Sequence, residues 1–348
     1  MNTKHLLLKD IVPDFIISIL QRIEHHGFHG FIVGGAIRDL LLGRVPVEYD
    51  LASNAPPNEI AKIFESTSFT GIKFGTITIH FDGRSVEITT FRKETNYTDF
   101  RHPDQLEYVD NIDDDLARRD FTINAMAYQP LTDKLIDLYN GQLHLEQRKL
   151  ICVGTPSVRF NEDSLRPFRC FRLMSQLGFS VDPAIIDSLR TLVGIPLPAI
   201  ERIRQEMDRL LMGQYWFSAI QLMASTGWFD HWLGSSVNLT QRDLPHDLRF
   251  RWAWFFSFGD FEALSTLFQF SKKDIRFMKH VIDWDFDEDA IGMTVHDLAV
   301  SSQRLRQLGF SGPALGKVQL ALLYHIRSKD VLNEENDLIQ YLDQLNIK

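Results

Sequence analysis

Hydrophobic and polar positions follow two different rhythms along the chain. In the first 150 residues, "VEYDLAS", "GTITIHF" and "SVEITTF" alternate with period two and predict strands, and the continuous apolar run "GFHGFIV" predicts a buried one. "AIRDLLLG" predicts a helix that starts after Gly34-Gly35 and is stopped by Gly43, and "NEIAKIFEST" predicts an amphipathic helix. "RRDFTINAMAY" reads as a polar lead into an apolar helix. These elements predict an α/β head with a mostly solvent-accessible sheet face. "RKETNYTDFRHPDQLEYVDNIDDDLAR" is a long polar connection, a kind that commonly serves as a lid or tether.

Beyond residue 150 the period changes to that of helices. "IERIRQEMDRLLMG" sets Ile200, Ile203, Met207, Leu210 and Leu211 on one face and ends at Gly213. "WFSAIQLMASTGWF", "ALSTLFQF", "LAVSSQRLRQLGF", "GKVQLALLYHI" and "DLIQYLDQL" continue likewise, so the remainder is expected to be all-helical. No internal repeat or low-complexity tract appears. Pro167 constrains the helix in "NEDSLRPFRCFRLMSQLGF": an interior proline costs roughly 3 kcal/mol, so that helix is expected to begin near Asp163 or Ser164.

The 348 residues, 44% of them hydrophobic, suffice for two or more packed domains. A formal net charge of -9 argues against a chain-wide electrostatic grip on nucleic acid, but basic runs such as "RPFRCFR" and "SKKDIRFMKH" leave room for a local one. Two cysteines, Cys152 and Cys170, fit packing roles in a reducing compartment. The N-terminal segment reads as neither a signal nor a transit peptide, and no apolar run reaches membrane-span length; a cytoplasmic protein with no membrane partner is expected.

Candidate chemistry starts at Gly34 and Gly35, whose strand-to-helix position suits a phosphate as well as a plain tight turn. Arg38 and Asp39 follow on the helix. Glu48 and Asp50 are expected on one face of a strand, with Glu87 on another strand whose Val86 and Ile88 point the opposite way. Converging carboxylates suit Mg²⁺, which fills its shell with water and substrate phosphates, and two such ions support in-line displacement at phosphorus. The structural alternative is the polar side of an amphipathic sheet. Arg118, Arg119, Asp120 and Asn124 can grip phosphate or ribose, or can cap and fill a helix start.

Asp163, Arg166 and Arg169 have helical i, i+3, i+6 spacing. Cytosine and adenine both present an amino donor beside a ring-nitrogen acceptor, whereas uracil and guanine present the reverse. Asp163 as acceptor and Arg166 as donor would admit C and A, since an unmatched buried group costs about 1–3 kcal/mol. An ordinary ion pair is the structural alternative. His246-Asp247 and His296-Asp297 read as helix caps. Gly316-Lys317 reads as a helix start able to meet a nucleic-acid phosphate, or as a helix-turn-helix corner.

Taken in order, "FIVGGAIRDLLLGRVPVEYDLASNAPP", "KFGTITIHF", "VEITTFR", "DFRHPDQLEYV", "DDLARRDFTINAMAY", "EDSLRPFRCFRLMSQLGF" and "ERIRQEMDRLL" resemble the class II tRNA nucleotidyltransferases, the CCA-adding enzymes, and their poly(A) polymerase relatives. The resemblance covers about residues 28 to 212. It implies an α+β chain: a nucleotidyltransferase palm-type head with a mixed sheet over residues 1–150, a helical neck with the nucleotide-selecting motif over 151–215, and a helical body and tail over 216–348 that bind tRNA. The implied reaction is template-independent addition of C, C and A to tRNA from CTP and ATP. By matching position, Gly34, Gly35 and Arg38 would hold the triphosphate. Glu48, Asp50 and Glu87 would serve catalysis, with Mg²⁺ (Mn²⁺ as the alternative) on Glu48 and Asp50. Arg119, Asp120 and Asn124 would meet ribose and phosphates, Asp163 and Arg166 would select the base, and Arg169 would assist with phosphate; Lys317, outside the matched span, is read from its helix start alone as an RNA contact. The loop "RKETNYTDFRHPDQ" resembles the flexible element needed for A addition.

Four positions depart from the family pattern: Glu48 for Asp, Ser53 for Thr, His144 for Asp, and Pro167. The alternatives are a poly(A) polymerase or A-adding specialist, and a non-catalytic tRNA-binding relative.

Overall fold

The computed structural model describes residues 8–69, 71–72, 75–95, 105–233, 239–283, 286, 295–327 and 330–344. The chain divides into two compact units, Met1–Phe229 and Asp230–Lys348.

In the first unit, strands β1 (Gly30–Val33), β2 (Asp50–Ser53), β3 (Thr67–Ser68), β4 (Thr76–Phe81), β5 (Arg84–Thr90), β8 (Met126–Gln129) and β9 (Lys134–Asp137) form one mixed sheet in the order β3-β4-β5-β2-β1-β8-β9. β2 and β5 run parallel and the other neighbours antiparallel. One face carries Ile32, Leu51, Ile77, Ile79, Val86 and Ile88, all buried, as strand alternation requires. Helices α1 (Asp14–His25) and α3 (Pro57–Ile63) pack against sheet strands, and α2 (Gly35–Leu41) follows β1 directly.

The opposite face is divided. Val33, Ala52 and Ala127 lie under Ile112 and Leu116 of α4 (Ile112–Ala117) and under Phe91. Asp50 and Glu87 occupy the part of this face that stays exposed. The expected open face is therefore half covered, because the apolar stripe of α4 finds its partner there.

Three further readings are corrected. "FTINAMAY" forms a 3-10 turn, Thr122–Asn124, followed by the fully buried strand β8, not a helix. An apolar run buried on both faces has no period that separates the two states. The long polar connection is structured at both ends: β6 (Arg92–Thr95) pairs antiparallel with β7 (Gln105–Tyr108), and α4 follows. Its middle, 96–104, lies outside the described residues. Strand pairing also extends past residue 150, where β11 (Ser180–Val181) runs parallel to β10 (Lys149–Leu150).

Helices α5 (Gly141–Glu146), α6 (Pro156–Glu162), α7 (Arg166–Leu177), α8 (Pro183–Thr191), α9 (Ile200–Leu211) and α10 (Trp216–Ser225) complete this unit. α9 buries Ile203, Met207, Leu210 and Leu211, as its spacing predicts. α7 starts at Arg166, two residues later than expected from Ser164, and Pro167 sits in its first turn where no intrahelical N–H is lost.

In the second unit, Trp252, Phe255 and Phe256 of α12 (Leu248–Phe256) stack with Phe268. Between α11 (Asp230–Leu233) and the chain end lie α13 (Phe261–Leu267), α14 (Lys272–Asp283), α15 (Ser302–Gln307), α16 (Gly312–Arg327) and α17 (Glu335–Gln344). Leu305, Val318, Leu322, Leu338 and Leu342 form the core of the last three.

Candidate active site

β1 ends at Val33 and the chain turns through Gly34, whose φ of +69° only glycine adopts without strain, into α2. A Cβ on Gly34 would stand 3.2 Å from Arg119 Nη1 and 3.7 Å from Asp50 Oδ2. The turn therefore lies directly against a cation and a carboxylate contributed by distant segments. On α2, Arg38 is fixed by three bonds: its Nε and Nη2 donate to Asp39 (2.9 and 3.0 Å) and its Nη1 donates to Asn124 Oδ1 (3.0 Å).

Sheet register sets the acids. Asp50 pairs with Glu87 across the parallel β2–β5 contact, so the two side chains stand next to each other on one face. Val86 and Ile88 are buried on the other face, as the alternation predicts. Glu48 does not share the strand with Asp50; it lies in the bend just before β2 and is exposed. Its charge still reaches the pair. The Asp50 carboxyl is raised by partial desolvation, opposed by Arg119 and reinforced by Glu48. That of Glu87 is raised by desolvation and then by Asp50 and Glu48. Such mutually repelling oxygens fit a hard dication. Among the described residues no group of three or more His, Cys, Asp or Glu side chains closes into a metal cage.

Arg119 is held from α4. The wholly buried Asp115 accepts from Arg119 Nη2 (3.0 Å) and from Arg118 Nε and Nη2 (2.9 and 2.7 Å), and Arg119 Nη1 donates to Asn124 O (3.3 Å). Arg119 Nε is buried with no hydrogen-bond partner among the described residues. Asn124 thus touches both Arg38 and Arg119, and the five residues Gly34, Arg38, Asp50, Arg119 and Asn124 form one cluster.

Asp120 and Arg169 are brought together with each other. Asp120 accepts from Phe121 N (2.8 Å) and from Arg169 Nε (2.5 Å). Burial alone would raise the Asp120 carboxyl, but the charges of Arg169 and Arg166 hold it well below the usual range. Arg169 also faces Glu206 at 3.9 Å, and Glu206 accepts from Arg172.

Asp163 and Arg166 do not form the expected i, i+3 pair. Asp163 caps the end of α6 in extended conformation, so it is not on the same helix as Arg166. Its Oδ1 accepts from Leu165 N (3.0 Å) and its Oδ2 from Arg202 Nη2 (3.5 Å). Arg166 donates to Glu162 (2.5 Å), Arg159 O (3.1 Å) and Arg118 O (3.0 Å). Arg202 Nη1 is buried with no hydrogen-bond partner among the described residues.

Asp247 caps α12, as expected, through a bond from Arg249 N. Asp297 does not cap: it lies in a turn where its carbonyl accepts from Asn333, and Ser301 caps α15 instead. Lys317 is exposed in the second turn of α16, which begins at Gly312, so the segment is a helix-turn-helix corner and not a helix starting at Gly316. Ser53 is buried and its Oγ accepts from Ala55 N (3.0 Å).

Asp115, Glu162, Arg202 and Glu206 were not legible as site residues. Asp115 had a signal, since it stands three and four positions before Arg118 and Arg119. Glu206 and Arg202 had none, because a polar residue on an amphipathic helix is read as solvent-facing.

Two family models match the sequence: "Poly A polymerase head domain" over residues 30–151 and "Probable RNA and SrmB- binding site of polymerase A" over residues 178–235. The CCA-adding enzyme of Leuconostoc citreum is 37% identical over 280 residues, 76% of this chain and 69% of the relative. Those of Geobacillus kaustophilus (36% identical, 68% of this chain) and Lacticaseibacillus paracasei (44%, 58%) are matched over 58% and 51% of their own length. In fold, the chain is similar to the Bacillus stearothermophilus CCA-adding enzyme solved in complex with CTP, with a TM-score of 0.68 at 24% identity over 96% of this chain and 97% of that one. The Thermotoga maritima CCA-adding enzyme solved with tRNA_CCA gives a TM-score of 0.67 at 18% identity, covering 98% of each chain. Among the described residues no helix is long and apolar enough to cross a membrane.

Proposed function

The chain belongs to the CCA-adding enzymes, and on that premise we propose that it adds C, C and A to the 3′ end of tRNA from CTP and ATP without a nucleic-acid template. The observation that carries the reading is the register pairing of Asp50 with Glu87 beside the Gly34 turn, where Arg119 also lies. Carboxylates for a divalent ion and cations for a triphosphate meet at one point, as nucleotidyl transfer requires.

The 3′-hydroxyl of the tRNA attacks the α-phosphorus of CTP or ATP, a phosphodiester forms and pyrophosphate leaves. Asp50 and Glu87, with Glu48 beside them, would hold divalent metal, which family membership implies; in our reading it is Mg²⁺, and it supplies Lewis-acid stabilisation of phosphoryl charge. Gly34 and Gly35 keep side-chain bulk away from the triphosphate. Arg38 and Arg119, pre-set by Asn124, Asp39 and Asp115, neutralise it at little reorganisation cost. The buried unpartnered Nε of Arg119 supports a further acceptor from the nucleotide.

Asp163 and Arg166 select C and A by the edge pattern. Arg166 is oriented by Glu162 and two carbonyls, while Asp163 holds Leu165 N through Oδ1 and makes a long 3.5 Å contact to Arg202 through Oδ2, the oxygen that would turn to a base. Asp120 meets the ribose and phosphates, and Arg169, fixed on it, assists with phosphate. Lys317, exposed on α16, contacts RNA, and residues 1–150, 151–215 and 216–348 serve as head, neck, and body with tail.

The test offers the protein tRNA transcripts ending before CCA, after C and after CC, with labelled CTP or ATP and Mg²⁺. Two C and one A, then a stop, is the expected result. Long A tails on generic RNA would make it a poly(A) polymerase, A alone an A-adding specialist, and no incorporation even in Mn²⁺ would leave a tRNA-binding protein.

A further inference from the structure

The 3-10 turn Thr122–Asn124 seats both triphosphate cations, because Asn124 accepts from Arg38 through its side chain and from Arg119 through its carbonyl. Its other side bears on α5. His144 Nδ1 lies 2.8 Å from Thr122 Oγ1, and Gly141 approaches so closely that a Cβ there would meet Thr122 O at 2.5 Å. Thr122 is buried and His144 half-buried. α5 is itself anchored: the Asp137 carboxylate accepts from Gly141 N (2.6 Å) and Gln142 N (2.9 Å). A rigid path therefore runs from β9 through α5 and His144 to the turn that orients Arg38 and Arg119.

Resting on the nucleotidyl-transfer reading, we propose that His144 is a positioning residue for the nucleotide triphosphate, holding the Thr122–Asn124 turn in place through the Thr122 hydroxyl. In the tautomer with its proton on Nε2, the neutral ring accepts the Thr122 hydroxyl proton at Nδ1. Protonation turns Nδ1 into a donor, whose proton the Thr122 hydroxyl oxygen can accept, so the contact persists in either charge state. Asp137 on β9 and Asp182, which precedes α8, favour the charged ring; burial and Lys149 on β10 oppose it, and the balance lies below the ordinary histidine range.

The experiment compares wild type with Thr122→Val, which keeps shape and removes the hydroxyl, with His144→Ala, with the double variant, and with His144→Asn, whose amide replaces Nδ1. Steady-state incorporation on a transcript ending after CC, or before CCA, yields nucleotide KM, transcript KM and kcat, and thermal unfolding yields Tm. Each of the first two variants is expected to raise nucleotide KM about 2–10-fold, the size of one hydrogen bond, with kcat and transcript KM unchanged. The double variant should be no worse than either single, and His144→Asn should restore the wild-type value. Unchanged nucleotide KM, additive losses, or a loss confined to Tm would overturn the proposal. If His144→Ala does not fold, nucleotide KM of Thr122→Val and His144→Asn decides. A wild type that incorporates nothing removes the transfer reading and this inference together; an active wild type with any overturning result removes this inference alone.

Discussion

Arg38 donates from Nη1 to the side-chain oxygen of Asn124 at 3.0 Å, across 86 positions of sequence. The bond ties α2 to the turn before β8, and Asp39 occupies the opposite edge of the same guanidinium. Asn124→Ala removes a bond to a charged donor, which is worth about 1.5–3 kcal/mol. The expected outcome is a rise in KM for both CTP and ATP of roughly ten-fold or more, with transcript KM unchanged, measured by steady-state incorporation. Equal effects on nucleotide and transcript would argue that the bond is only structural.

Asp50 and Glu87 repel each other in the absence of a cation, and both carboxyls are raised, first by desolvation. An acid whose folded-state pKa is raised destabilises the fold as pH climbs through that interval and ceases to do so below it. Glu87→Gln should therefore raise Tm at pH 7.5, with the gain shrinking toward pH 4. Incorporation should fall by at least ~100-fold. Circular dichroism melts at several pH values, paired with incorporation assays, check both halves.

Divalent metal should stabilise the folded chain through the same acids. Titrating Mg²⁺ is expected to raise Tm progressively by mass action in the wild type and to leave Asp50→Asn unmoved. Chelator treatment should lower the wild-type Tm to its metal-free value. A Tm response to Mg²⁺ that is identical in the two proteins would remove Asp50 from the metal site.

Asp120 and Arg169 form the opposite case, a pair whose attraction lowers the acid. Its stabilisation is present above the ordinary carboxylate pKa of about 4 and is lost as pH falls below it. Asp120→Ala leaves Arg169 facing the more distant Glu206, at 3.9 Å, and should cost about 3 kcal/mol. Urea unfolding at pH 7 and pH 3 tests this: the difference between wild type and variant should narrow at the lower pH.

Asp163 and Arg166 lie near one another without pairing, each held by other groups. Asp163→Ala should lower discrimination of C and A against U and G by roughly ten-fold or more, from the loss of about 1–3 kcal/mol for one mismatched group. Competition assays with all four nucleotides measure it. Unchanged discrimination would assign base choice elsewhere.

Local pattern determined much of this protein. Period-two alternation set β4, β5 and the outward direction of Glu87, and helical spacing set the buried stripe of α9. Glycine chemistry fixed the turn at Gly34, since its positive φ is a property of that residue alone. The ordered motifs also made the family legible before any contact was known.

Tertiary structure decided what local pattern does not encode. The run "INAMAY" is equally apolar as helix or strand, and only its place between β1 and β9 made it a strand. Partner choice among charges was likewise non-local: Arg166 took Glu162 instead of Asp163, and Asp120 took Arg169, because the break between α6 and α7 turned those side chains in different directions. Glu206 became buried because α9 packs on α7. Sequence specifies which groups are available, while packing chooses which of them are desolvated together, and the site's electrostatics follow from that choice.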